Sequence, residues 1–257
     1  MKIISWNLDK SKNLSNENDF LFIKNIRPSI ILFQNTLQDK NSIHKNIESL
    51  NYKTINNISQ STRSKNDGTQ TLIKGNLKDY EFLKNIDVAR EGRLIEIEIK
   101  NIIIINFISS IGQVHTKLEK DKLTFFRSFI DYIKLRKEEG KSIIIGGDFQ
   151  VAFDSIDLVN PNTNKSCSGH LDEEIEVIQE LLDLGLVDAF RHFHPDKEKV
   201  FSFWPDRMDA RRKNKGWRYD YFLVSSDIID LVNSCEVMTK EMGSTHCPII
   251  LDINIDI

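Results

Sequence analysis

Cysteine is scarce here: Cys167, Cys235 and Cys247 are the only three in 257 residues. Their spacing fits no metal-ligand pattern and suits a reducing cytosol. Proline is also rare, with five residues, and no Pro/Ser-rich linker, repeat or charge block divides the chain, so one domain over residues 1–257 is expected. No apolar run approaches the ~20 residues of a membrane span, and residue 2 already opens a strand, which leaves no room for a signal peptide. A cytoplasmic protein, or a nuclear one in a eukaryote, is the expectation. A glycine-rich phosphate loop is missing as well. Net positive charge is absent too: the balance is −3 and the pI about 6.1. Any contact with nucleic acid therefore has to come from local clustering of cations.

What is present describes an ordinary soluble globule, 40% apolar and 28% charged, long enough to bury a sizeable core. The centre of the pattern is Lys141–Gln150, KSIIIGGDFQ. Ser142–Ile145 reads as a buried strand, Gly146 and Gly147 as a tight turn, and Asp148 and Gln150 as side chains at the strand's end, where such scaffolds present their chemistry. Further strands are predicted over Lys2–Leu8, Ser29–Phe33, Asn51–Ile58, Gly68–Lys74, Leu94–Ile99, Ile102–Phe107, Phe201–Trp204, Trp217–Val224, Glu236–Lys240 and Ile249–Ile253. Helices are predicted over Ser15–Ile26, Lys117–Lys137 and Asp172–Leu184, the last stopped by Gly185. Strands dominate, with helices inserted between them, which argues for a mixed two-layer β core covered by helices.

Several strand ends carry polar, chemistry-bearing residues: Asn7, Asp9, Asp148, Asp220 and His246. Near the C-terminal third, DARRKNKGWR packs Arg211, Arg212, Lys213, Lys215 and Arg218 around Trp217. Most such charge runs are solvated faces, but the basic and aromatic mixture also suits phosphate contact. In order and spacing, SWNLD, GDF, IDLVNP, GLVDAFRHFHP, the FW of FSFW, GWRYDYFLV and GS-x-HCPI resemble the exonuclease III-type AP endonucleases of the endonuclease/exonuclease/phosphatase superfamily. The resemblance spans the whole chain. It implies a four-layer α/β sandwich, two packed mixed β-sheets flanked by helices, and Mg²⁺-dependent hydrolysis of the phosphodiester 5′ to an abasic site. Magnesium calls for hard anionic oxygens and stabilises charge on the phosphate and leaving oxygen. By the same resemblance Asn7 organises the site and Asp148 sits near the attacking water. Asp220 supports His246, His246 contacts phosphate, and Phe203 and Trp217 line a pocket for the extruded sugar.

The departures from that pattern concentrate at the chemistry. Gln34 is followed by Asn35 where the family has Glu, its principal anionic metal ligand. GD-x-N becomes GDFQ, making Gln150 one methylene longer, and S-D-H becomes Ser244-Thr245-His246, without the carboxylate. Phe107 stands where the family has Tyr, and Ser109 and Ser110 replace a proline and an asparagine. Asp9 is left as a weak metal ligand, with Asp39 as a possible substitute; Glu91 and Arg93 read as an internal ion pair. Removing one positioned catalytic group costs roughly 10²–10⁴ in rate, so several losses leave a nearly silent site with Mg²⁺ weakly bound or absent.

Three readings compete. One is a DNA-binding homologue that recognises abasic or distorted double-stranded DNA and has lost most or all hydrolysis. Another is an active Mg²⁺-dependent AP endonuclease or 3′–5′ exodeoxyribonuclease. The third is a protein-interaction scaffold that keeps only the fold.

Overall fold

The computed structural model describes residues 1–9, 20–36, 47, 49–59, 68–75, 81–82, 92–110, 112, 114–164 and 167–255. Two six-stranded sheets dominate it. In chain order the strands are β1 (Lys2–Asn7), β2 (Ile30–Gln34), β3 (Tyr52–Ile58), β4 (Gly68–Lys74), β5 (Glu81–Phe82), β6 (Leu94–Ile99), β7 (Ile102–Ile108), β8 (Ser142–Asp148), β9 (Leu186–Asp188), β10 (Asp220–Ser225), β11 (Val232–Val237) and β12 (Ile249–Ile253). The first sheet runs β11-β12-β1-β2-β4-β3 and the second β5-β6-β7-β8-β10-β9, each mixing parallel and antiparallel pairs. The helices that matter for the site are α1 (Leu21–Ile26), α2 (Lys117–Glu138), α3 (Asp172–Asp183) and α4 (Ala189–Phe193).

Side-chain alternation explains the layers. On β7, Ile104 faces the other sheet, joining Ile3, Leu32, Ile73, Phe222 and Leu251 in the core between the sheets. Its neighbours Ile103 and Ile105 face outward and pack with Phe126, Phe129, Ile133, Val177 and Leu181 of α2 and α3. The first sheet's outer face carries Ile4, Trp6, Ile31 and Phe33, packed with Ile23 of α1. A strand buried on both faces has to be apolar almost throughout, hence the isoleucine runs. The result is a four-layer α/β sandwich. Among the described residues no helix is long and apolar enough to cross a membrane.

Gly146 and Gly147 do not make a turn. Both lie inside β8, opposite Phe222 and Tyr221 of β10, and neither has a positive φ. They are glycines because neighbours press close. A Cβ on Gly146 would stand 2.5 Å from the Phe222 ring, and one on Gly147 1.9 Å from the Phe107 carbonyl oxygen. Other boundaries shift too. Phe201–Trp204 forms no full strand, only bridges from Phe203 to Trp217 and His246. The strand expected from Trp217 starts at Asp220, and the one expected at Glu236–Lys240 is β11, ending at Val237. Of the helix predicted over Ser15–Ile26, residues 15–19 lie outside the described residues, as do Asp39 and Glu91; Arg93 places its guanidinium 5.6 Å from the centre of the Phe125 ring.

Candidate active-site cleft

The cleft forms where one end of the sandwich brings the last residues of β1, β2 and β8 together with the first residue of β10. Asn7 ends β1 beside Gln34 of β2, and Asp148 ends β8 directly opposite Asp220 of β10. His246 comes from the segment leading into β12, held by paired backbone bonds: Trp204 N–H donates to the Thr245 carbonyl and Cys247 N–H to that of Ser202. All five side chains are buried.

Asn7 is the hub. Its Nδ2 donates to Asp148 Oδ2 at 2.6 Å and lies 3.4 Å from His246 Nε2. Its Oδ1 accepts from the Asp9 backbone N–H at 2.8 Å and from Asn35 Nδ2 at 3.1 Å, which fixes the amide's orientation. His246 Nδ1 pairs with Asp220 Oδ2 at 2.8 Å, and the same oxygen accepts from Ser202 Oγ at 2.6 Å. Asp148 is gripped by Gln150, through the backbone N–H to Oδ1 at 2.9 Å and through Nε2 to Oδ2 at 2.5 Å. Thr245 Oγ1 donates to Asp9 Oδ2 at 2.7 Å, and Ser244 Oγ to the Asn7 carbonyl.

Charges here are mutually adjusted. Burial alone would lower the His246 pKa, but Asp220 and then Asp148 outweigh it and raise it to about 9, so the ring is an imidazolium at neutral pH. Burial pushes the Asp148 carboxyl up, partly offset by His246, to about 6.

Asp148, Asp220 and His246 bring potential ligand atoms within 4.8 Å of one another. The donor set nevertheless does not fit a magnesium ion. Magnesium demands near-octahedral oxygen ligands at about 2.0–2.1 Å. Here His246 already bridges toward the aspartates as a proton donor, Asp148 has both oxygens occupied by hydrogen bonds, and Asn35 presents an amide that donates to Asn7.

Several expected residues do not join the cleft. Phe107 sits on the opposite face of its strand from the cleft: its neighbour Ile108 pairs with Asp148, while the Phe107 ring stacks on Phe129 at 4.3 Å and lies 4.7 Å from Phe149. A hydroxyl lost at this position is lost from the core beneath α2. Arg218, expected to contact DNA, is fully buried. It grips Asp157 with Nε and Nη2 at 2.8 and 2.7 Å and Asp188 at 2.7 Å, with its guanidinium 4.3 Å from the centre of the Tyr221 ring. Arg211 turns inward as well, donating to the carbonyls of Ser244, Thr239 and Glu241 and lying over Trp204. Of the basic run only Arg212, Lys213 and Lys215 are exposed, and Arg212 pairs with Asp209.

Phe203 and Trp217 are half-buried beside the cleft. The Phe203 ring lies 4.8 Å from His246 and stacks on Tyr219 at 5.2 Å, and Trp217 lies 5.5 Å from Tyr219. Sequence reading missed Ser202, which anchors Asp220 and caps the N–H groups of Tyr219 and Asp220. A lone small polar residue between two phenylalanines was its only signal. It also missed Lys122 and Glu174, a buried ion pair at 2.6 Å; Lys122 Nζ also donates to the Gln150 carbonyl at 2.8 Å and so ties α2 and α3 to the loop behind Asp148.

A sandwich of two mixed sheets with an Asp–His pair at one open end is the class of protein described. Residues 4–237 match the Endonuclease/Exonuclease/phosphatase family, and the chain belongs to it. It is 31% identical to an exodeoxyribonuclease of Bacillus subtilis, covering 99% of this chain and all of that protein. It is 32% identical to a DNA-(apurinic or apyrimidinic site) endonuclease of Dictyostelium discoideum, covering 99% of this chain and 71% of the relative. An AP endonuclease from Archaeoglobus fulgidus superimposes with a TM-score of 0.84 at 21% identity, covering 99% of this chain and all of that one, a likeness of fold. The family relationship is therefore to DNA-repair nucleases.

Proposed function

We propose that this chain binds double-stranded DNA at abasic or distorted sites, with phosphodiester hydrolysis lost or strongly reduced. The observation that carries the reading is Asn35. Its amide lies against Asn7, at the heart of the cleft, as a hydrogen-bond donor where the resemblance calls for an anionic metal ligand. Thr245 adds a second neutral group, engaged with Asp9. Each missing group is worth roughly 10²–10⁴ in rate, and the losses, though not additive, act on one site.

In this reading Asn7, Asp148, Asp220 and His246 are a remnant that orients a phosphate rather than cutting it. Phe203 and Trp217 receive the extruded sugar, since a nucleotide without a base costs little to unstack. Exposed Arg212, Lys213 and Lys215 contact phosphates. The names of the curated relatives support DNA as the ligand, including DNA with an apurinic or apyrimidinic site.

A gel-shift and cleavage assay on one abasic duplex and its intact counterpart tests the proposal. The expected outcome is preferential binding of the abasic duplex with no product in Mg²⁺. Equal affinity for both duplexes contradicts the recognition half. The second reading, a working nuclease, is favoured by the intact Asp220–His246 pair at 2.8 Å; Mg²⁺-dependent product that disappears in Asp148→Asn would establish it.

A further inference from the structure

The acids of this cleft take most of their hydrogen bonds from within the protein. Asp9 Oδ2 accepts from Thr245, Asp148 Oδ2 from both Asn7 and Gln150, Asp148 Oδ1 from the Gln150 backbone, and Asp220 Oδ2 from Ser202 and His246. Asn35 and the Asp9 backbone together occupy Asn7 Oδ1, the neutral oxygen beside them. A cation entering here would meet one buried carboxylate oxygen without a donor, Asp220 Oδ1; to gain oxygens of Asp148 as well it would have to displace donors, and each lone pair already engaged makes that exchange less favourable. Three of the residues that break the family pattern are donors in this network: Asn35 to Asn7, Gln150 to Asp148, Thr245 to Asp9. Simple loss of function imposes no such pairing.

We infer that the cleft seats the phosphate of a nucleic acid without a divalent cation, with Asn35, Gln150 and Thr245 replacing ion–carboxylate bonds by hydrogen bonds. The ligand part of this inference rests on the DNA-binding reading; the exclusion of the cation does not. Two nitrogens remain to meet an oxyanion, His246 Nε2 and Asn7 Nδ2, 3.4 Å apart. Their oxygen-bearing neighbours hold both side chains in place, so an incoming phosphate oxygen can take a hydrogen from each. Attraction over longer range comes from Lys213 and Lys215 rather than from a bound ion.

The test has two arms. In the first, Mn²⁺ is titrated into the DNA-free protein and followed by loss of the free-ion EPR signal. The wild type should bind no ion tighter than about 1 mM, whereas the Asn35→Glu/Thr245→Asp double variant, which adds two carboxylates on the same side of the cleft, should bind one at least about tenfold more tightly. Stoichiometric Mn²⁺ binding by wild type in the micromolar range overturns the inference. So does a double variant that is folded by circular dichroism yet binds no ion. In the second arm, the ratio of abasic to intact duplex affinity is measured in Mg²⁺ and in EDTA at matched ionic strength, which cancels general screening of phosphate contacts. A ratio constant within about twofold is expected, and a ratio that collapses in EDTA overturns the inference. If neither duplex binds in either buffer, the phosphate half of the inference fails together with the DNA-binding reading, while the Mn²⁺ arm still decides whether a cation is excluded.

Discussion

Arg218 and Asp220 are two residues apart, yet they serve opposite kinds of buried charge. Arg218 closes a network with Asp157, Asp188 and Arg191 in which each carboxylate meets a guanidinium. Burial by itself would raise the Asp157 pKa; Arg218 and Arg191 together bring it below the usual carboxylate range, so both signs stay charged, with Arg218 Nη1 and Arg191 Nε left without a hydrogen-bond partner. Asp220 belongs to the cleft, where two carboxylates share one histidine and one of them, Asp148, is pushed up toward neutrality. The first cluster is a closed account of charge that staples β9, β10 and the loop at Asp157. The second leaves an acceptor, Asp220 Oδ1, without a partner at the open end of the sandwich. Burial of charge therefore does not mark a functional site here; incomplete compensation next to an opening does.

The difference can be broken from the structural side first. Arg218→Ala strands Asp157 and Asp188 in the interior and should cost roughly 3–5 kcal/mol, read as a large fall in melting temperature. Asp148→Asn, equally buried, keeps the shape but turns one acceptor oxygen into a donor among the donors of Asn7 and Gln150, and should cost about 1–3 kcal/mol. Equal losses for the two would erase the distinction.

Next in size is the pocket wall. Trp217→Ala should reduce the preference for abasic over intact duplex by roughly 1–3 kcal/mol in binding titrations, through lost apolar contact with the extruded sugar. An unchanged preference would return Trp217 to a purely packing role.

The pH dependence separates the clusters further. Because the His246 pKa is raised from 6.5 to about 9, its contribution to stability is fully present below about 6.5 and is lost as pH climbs through about 9. Melting temperature should therefore decline across that window in wild type and decline less in His246→Gln. Parallel curves would show that the ring carries no extra proton in the folded state.

The smallest effect is on the surface. Replacing Lys213 and Lys215 together by alanine should weaken both duplexes alike and lower the salt slope by about one per lysine. A selective loss on abasic DNA would move these lysines into the recognition pocket.

How readable these regions were differs for the same reason that they behave differently. Of the cleft residues, Asn7 and Asp148 end strands, Asp220 opens one and His246 lies just before one, each within a short motif, so order and spacing already brought them together. The sandwich was readable from isoleucine-rich runs such as Ile102–Ile105, buried on both faces. The Arg218 network was not: its partners Asp157 and Asp188 lie 61 and 30 positions away, and a buried arginine looks like any other cation in DARRKNKGWR. Gly146 and Gly147 misled because a glycine pair reads as a turn when the crowding that demands it comes from β7 and β10. β9 and α4 are three and five residues long, too short to show a period, and are fixed by packing at β10 and β11.

The most direct test of a cleft that holds DNA without cutting it is single-turnover cleavage of an abasic duplex by saturating protein in Mg²⁺, with the Bacillus subtilis exodeoxyribonuclease run alongside. The expected rate is at least about 10²-fold below the relative's, with no further fall on Asp148→Asn. A rate matching the relative's, abolished by that substitution, would contradict it.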